Sequence, residues 1–456
     1  MNLFRASRFL ALGGALLAAS ALAGGAAQAG EASPLGRIDH ILVIYLENWS
    51  FDALFGGFPG ATGLANAGAA AIQLDKAGKP YETLPPVLDT GLSPPARDAR
   101  FPENLPNQPF DIGRFVPPDQ KTGDLVHRFY TNQQQIDGGR NDKFVAWSDA
   151  GALTFGHRDG SGSRLWRLAR EYTLADTFFQ GAFGGSFLNH FWMACACTPL
   201  YPDAPGALRS TFDERGVVVR DGVVTPDGYA VNTIQPRGGP HSPAIGDPGQ
   251  LLPPQDLPTI GDRLSDKGVS WAWYSGGWAD AEAGRPDALF QFHHQPLAYF
   301  RQFAAGTAAR AGHLKDAAEL MAAIDGGGLP AVAFYKPIGE LNLHSGYAEV
   351  QAGDRHVDDL IERLKRSPQW PTTAVIITWD ESGGFWDHVA PPAGDRWGPG
   401  SRIPTLVVSP LARKGFIDPT LYDTTSILAT LEHRFGLAPL GSRDAAAHDL
   451  APAFEP

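Results

Sequence analysis

Residues 39–46 read Asp-His-Ile-Leu-Val-Ile-Tyr-Leu and run directly into Glu47-Asn48; residues 374–379 read Ala-Val-Ile-Ile-Thr-Trp and run into Asp380-Glu381. Apolar runs without alternation suit parallel strands covered on both faces. Residues 269–274 (VSWAWY), 331–335 (AVAFY) and 405–408 (TLVV) have the same character. Between them lie helical patterns at 163–171, 259–267, 314–324, 354–366 and 424–435, the last with Thr424-Thr425-Ser426 as its cap. Strands alternating with helices predict an α/β fold, a doubly wound, mostly parallel sheet sandwiched by helices. Two stretches break the rhythm. Residues 73–119, rich in Pro, Asn and Asp, predict a long ordered loop. Residues 199–254 hold short β-like pieces, with Asp221-Gly222 as a hairpin turn, and predict an insertion over the ligand-binding face. Residues 30–456 are thus expected to form one domain.

The first 29 residues are set aside. Arg5 and Arg8 precede an apolar run at 9–22, and Ala27-Gln28-Ala29 is a small-x-small cleavage site, the pattern of a Sec-type signal. The arginines are not adjacent, so a twin-arginine signal is not supported. The run falls short of a comfortable bilayer span, so cleavage is favoured over an uncleaved anchor, leaving no stable span and a periplasmic or secreted protein. The formal charge of −12 argues against nonspecific nucleic-acid binding, and any phosphate-bearing substrate needs a local positive centre. The two cysteines, Cys195 and Cys197, are too close for an unstrained bridge in most backbones and are read as free thiols.

In open α/β sheets ligands bind beyond the carboxyl ends of the strands. Glu47-Asn48 and Asp380-Glu381 emerge there from segments far apart in sequence. Such carboxylates are costly together unless a cation joins them, and oxygen donors favour Mg, Ca or Mn, with Zn also accepting carboxylates. In Gly181–His190 (GAFGGSFLNH) two glycines lead into Ser186 and a helix. The backbone N–H groups of such a turn make an anion cradle, and Ser186 can act as a nucleophile if its pKa is lowered. No Gly-x-Ser-x-Gly elbow is present, so metal activation is more natural than a Ser-His-Asp triad. His127, His293-His294 and His344 are the available cations, since Lys and Arg are scarce around these motifs; that choice favours acidic pH.

Taken together, Glu47-Asn48-x-Ser50-Phe51-Asp52, Gly184-Gly185-Ser186-Phe187-Leu188-Asn189-His190 and Trp379-Asp380-Glu381-x-Gly383-Gly384-Phe385-x-Asp387-His388-Val389-x-Pro391-Pro392 resemble the bacterial phosphoesterase family. That family joins secreted acid phosphatases to bacterial phospholipases C within the alkaline phosphatase superfamily. The resemblance continues through residues 395–404 and Ser409-Pro410. It implies one divalent metal ion held by Glu47, Asn48, Ser186, Asp380 and Glu381, with Ser186 taking the phosphoryl group. It places His127, His294 and His344 around the phosphate, His293 competing with His294, and Asn48 and the Gly184-Gly185 backbone on the phosphoryl oxygens. Asp387 and His388 are read as supporting residues.

The serine motif and residues 124–151 resemble the acid phosphatase branch, which implies small phosphomonoester substrates. The alternatives are a phospholipase C acting on phospholipid at the same site and, more distantly, a noncatalytic metal-dependent binding protein. Gly156-His157-Arg158-Asp159 departs from the family's usual Gly-Tyr-Tyr-Asp.

Overall fold

The structure is a computed structural model describing residues 33–455; the expected signal segment lies outside them. Eight strands form the central sheet: β1 His40–Leu46, β2 Thr173–Ala175, β3 Trp271–Ser275, β4 Leu314–Asp316, β5 Val332–Lys336, β6 Thr373–Trp379, β7 Thr405–Val408 and β8 Phe416–Asp418. Their order is β4-β3-β5-β1-β6-β7-β2-β8. β1 pairs in parallel with β5 on one side and β6 on the other. Every residue of β6 and all of β1 beyond His40 are buried, as unbroken apolar runs require.

β7 departs from the parallel expectation and runs antiparallel to both β6 and β2. Residues 380–404 contain no crossover helix, so the chain re-enters the sheet from the end it left. Burial on both faces makes β7 as apolar as its parallel neighbours, so composition does not reveal its direction.

The principal helices are α1 Phe51–Phe55, α2 Phe129–Ile136, α3 Arg164–Glu171, α4 Ser186–Cys195, α5 Ile260–Asp266, α6 Ala317–Asp325, α7 Val350–Arg366 and α8 Thr424–Phe435. The helix expected at 314–324 begins as β4, because Asp316 caps α6 in a reciprocal box with Glu319. α7 starts four residues earlier than its apolar pattern indicates. Asp423, not the Thr/Ser run after it, caps α8 by accepting from Thr425 N.

Asp221-Gly222 is not a hairpin turn. The hairpin pairs Thr211–Phe212 with Val218–Arg220, and the Asp221 carboxylate instead accepts from Tyr130 N (2.9 Å) and Thr131 N (2.8 Å). An insertion carboxylate therefore caps α2. Residues 73–119 are ordered by short pairings, Leu88–Asp89 with Ala96–Arg97 and Phe110–Asp111 with Gly156–His157. Cys195 and Cys197 are disulfide-bonded, against the free-thiol expectation. Ala196 ends α4 in the left-handed region (φ 47°), which folds the chain back and brings the two Cα atoms to 5.1 Å, within bridging range. Among the described residues no helix is long and apolar enough to cross a membrane.

Candidate active site

Three adjacent strand ends build the site. β5 ends in Lys336, β1 is followed by Glu47-Asn48, and β6 by Asp380-Glu381. All five side chains are buried. Ser186, 6% exposed, opens α4 opposite them, with its Oγ 3.3 Å from Asn48 Oδ1 and 3.4 Å from Glu381 Oε1.

The glycine turn explains how Ser186 reaches this place. Gly184 has φ +83°, and a Cβ there would lie 2.5 Å from Phe129 N; a Cβ on Gly185 would lie 2.5 Å from His127 O. The two glycines let the turn pass under the His127–Phe129 backbone, which brings the imidazole to the serine. Asn189, one turn into α4, holds the turn from inside: its Oδ1 accepts from Ala182 N (2.8 Å) and its Nδ2 donates to Gly185 O (3.1 Å). Gln180 ties the turn to the acidic loop, donating to Gly184 O and accepting from Ser382 N.

Glu47 is held on both oxygens. Tyr347 OH (2.7 Å) and Asn342 Nδ2 (2.8 Å) donate to Oε2, while Lys336 Nζ (2.9 Å) and His294 Nε2 (2.5 Å) face Oε1. Burial pushes this carboxyl up, but the charges of His294 and Lys336 win and hold it well below its ordinary value. Asp380 and Glu381 go the other way. Burial, reinforced by neighbouring carboxylates, pushes them up to about 7 and about 8, against the pull of Lys336 on Asp380 and His127 on Glu381. Burial would lower His127, yet Glu381 and Asp124 push it up to about 9. His344, His293 and His190 are lowered, chiefly by burial, and so is His294 despite Glu47.

The donor chemistry fits a divalent cation. Asn48, Ser186, Asp380, Glu381 and Glu47 offer oxygens only, and buried acids that resist ionisation on their own need a positive partner. These five residues would hold the ion.

The structure brings Glu47, Asn48, Ser186, Asp380, Glu381 and the four histidines singled out from the sequence into this region. His127 Nε2 lies 3.9 Å from Glu381 Oε1, and His344 lies beside His127, with ring centroids 5.6 Å apart. His293 and His294 group with Glu47. Four participants were missed. Lys336 is the first polar residue after the 331–335 run, so the strand-end rule that found Glu47 and Asp380 extends to it. His190 stands four residues after Ser186, with its Nδ1 at 2.7 Å from Ser186 O. Asn342 and Tyr347 flank His344 and carry no motif of their own.

Asp387 and His388 lie away from the serine in a separate buried cluster. Arg402 donates to Asp387 (3.0 Å) and Asp52 (3.0 Å), and His388 Nδ1 meets Asp52 at 2.6 Å. The cluster clamps the loop after Asn48 to the loop after Glu381.

A serine at a helix N-terminus, facing buried oxygen ligands and histidines at the carboxyl ends of a mostly parallel sheet, is the equipment of a phosphoric ester hydrolase. The chain belongs to the phosphoesterase family, whose sequence profile matches residues 38–438. It is 23% identical over 446 residues to a non-hemolytic phospholipase C of Pseudomonas aeruginosa, covering 88% of this chain and 54% of that protein. It is 25% identical over 477 residues to phospholipase C A of Mycobacterium tuberculosis, covering 92% and 78%. The chain spans about half the length of the Pseudomonas aeruginosa relative. A solved protein of the alkaline phosphatase superfamily from Vibrio parahaemolyticus aligns over 72% of this chain and 73% of its own, at 12% identity and a TM-score of 0.36.

Proposed function

We propose that the chain is a metal-dependent phospholipase C that releases a phosphorylated headgroup from phospholipid, with Ser186 as nucleophile. The observation that carries the chemistry is Ser186 Oγ within 3.3 and 3.4 Å of two ligand oxygens at the start of α4. The similarity to phospholipases C over 88% and 92% of the chain supports the substrate class. A divalent ion held by Glu47, Asn48, Ser186, Asp380 and Glu381 supplies a lowered serine pKa and positive charge when bound.

Ser186 Oγ enters as the alkoxide, its proton already released to solvent, and attacks phosphorus; the Oγ–P bond forms and the bond from phosphorus to the glyceride oxygen breaks, and Oγ is later released again as the alkoxide. His344 donates a proton to that oxygen. Its Nδ1 is held by Ser345 O, which leaves Nε2 for the exchange. His127, Asn48 and the Gly184-Gly185 backbone bind the phosphoryl oxygens. His293 and His294 support Glu47. Water then gives its proton to His344 and displaces Oγ, releasing the headgroup phosphate. Residues 30–456 act as the catalytic domain, of which the described residues from Pro34 on pack as one compact unit, and residues 1–29 direct export.

A second reading, acid phosphatase acting on phosphomonoesters, is favoured by the resemblance of the Gly-Gly-Ser motif and of residues 124–151 to the acid phosphatase branch. Short-chain phosphatidylcholine and a chromogenic phosphomonoester, assayed side by side with and without chelator, separate the two. Headgroup release lost on chelation supports the first; faster monoester turnover with an acidic optimum moves the assignment to the second. Ser186→Ala is expected to lose at least ~10³-fold in kcat on the preferred substrate. Near-wild-type turnover would remove Ser186 as the nucleophile. Metal binding without turnover of either substrate would leave a binding protein.

A further inference from the structure

Lys336 has no role in the chemistry above, yet it lies among the proposed metal ligands. Its side chain is wholly buried, with Nζ 2.9 Å from Glu47 Oε1, 3.3 Å from Asp380 Oδ2 and 3.5 Å from Leu46 O. The same two carboxylates are approached by imidazoles. His294 Nε2 lies 2.5 Å from Glu47 Oε1, and His190 Nδ1 lies 3.6 Å from Asp380 Oδ2. Glu47, His293 and His294 have ligand atoms within 4.8 Å of one another, as do Glu47, His190 and Asp380. Nε2 of His190 and of His293 is buried without a hydrogen-bond partner. Two carboxylates and three imidazoles are a donor set for a second divalent cation, with the nitrogen-rich character that suits zinc.

We propose that Lys336 is a built-in replacement for that second cation and restricts the centre to one divalent ion. The position of the ammonium supports it: Nζ stands between Glu47 Oε1 (2.9 Å) and Asp380 Oδ2 (3.3 Å), the two carboxylate oxygens that a second cation would have to bridge. The ammonium is tethered at the end of β5, between the strands that carry its partners, so it cannot diffuse away as an ion can. Lys336 is thus a positioning residue, acting through Glu47 and Asp380.

The inference rests on the metal reading above, and its test separates the two. Zinc content per chain is measured after loading and gel filtration for the wild type, Lys336→Met and Lys336→Gln, with circular dichroism to establish folding. One zinc in the wild type and two in either folded variant is the expected result, and adding His190→Ala to that variant returns the count to one. Manganese loading of the wild type gives an independent readout that needs no variant: an isolated-ion paramagnetic resonance spectrum is expected. Two ions in the wild type, a spin-coupled manganese pair there, or one ion in a folded variant overturns the role of Lys336 while leaving the metal reading intact. An active wild type that holds no metal overturns both.

Discussion

Gly185→Ala tests whether the glycine turn exists to bring His127 to the serine. Gly185 has φ −95°, so alanine costs nothing in backbone conformation. The added Cβ would lie 2.5 Å from His127 O and 3.1 Å from His127 Cδ2. Ordinary contacts are ~3.5 Å, so the His127 backbone must move by about 1 Å. A displacement of ~1 Å in a catalytic group costs roughly 10²-fold in rate, or about 2.7 kcal/mol of transition-state stabilisation. Local overpacking removes ~1–3 kcal/mol of stability, which a domain of this size withstands. The assay is kcat/KM on the preferred phosphoester, with thermal melting as the control for folding. Gly185→Ala is expected to lose about 10²-fold in kcat/KM. If the folded variant keeps wild-type kcat/KM, the close fit of turn and histidine has no part in turnover.

Asp380→Asn is expected to lower metal content, measured by elemental analysis; unchanged stoichiometry would remove Asp380 from the ligand set. Arg402→Met leaves Asp52 and Asp387 buried without their cation and is expected to cost ~3–5 kcal/mol in urea unfolding, whereas a loss below ~1 kcal/mol would contradict the clamp. Burial, with Asp444 alongside, pushes Glu432 up to about 8 in the folded chain. The unfolded chain releases that proton at lower pH, so stability falls as pH rises from the ordinary glutamate range to about 8. The melting-temperature advantage of Glu432→Gln should therefore widen from pH 5 to 8 and then level off; a constant difference across pH would sink this assignment.

The strands that carry the site were the most legible part of the sequence. β1 and β6 are covered on both faces, so burial writes itself into seven-residue strands that are apolar apart from His40, Thr373 and Thr378, and the acids that follow stand out sharply. Direction was less legible, because β7 is buried like its neighbours and only the missing crossover helix marks it as antiparallel. Lys336 was overlooked because a lysine after an apolar run resembles an ordinary strand exit. Its significance comes from β5 lying beside β1, a pairing between residues almost 300 positions apart. Asp221 was misread for a related reason: Asp-Gly is a strong local turn signal, and a contact with α2 across about 90 residues overrides it. The Cys195–Cys197 bridge depended on the single backbone conformation of Ala196, which residue type does not announce.

The carboxylate of Asp221 has a practical consequence for anyone reshaping substrate choice. Inserted loops are the natural targets for trimming or exchange, yet this one is a brace. Its Asp221 fastens the first turn of the helix that directly follows His127, and Asn232 accepts from Phe129 N at the same point. Grafting a foreign loop here without those two anchors would loosen the histidine. A library of loop variants should therefore hold Asp221 and Asn232 fixed and diversify the hairpin tip between Thr211 and Arg220, where Val219 already faces solvent.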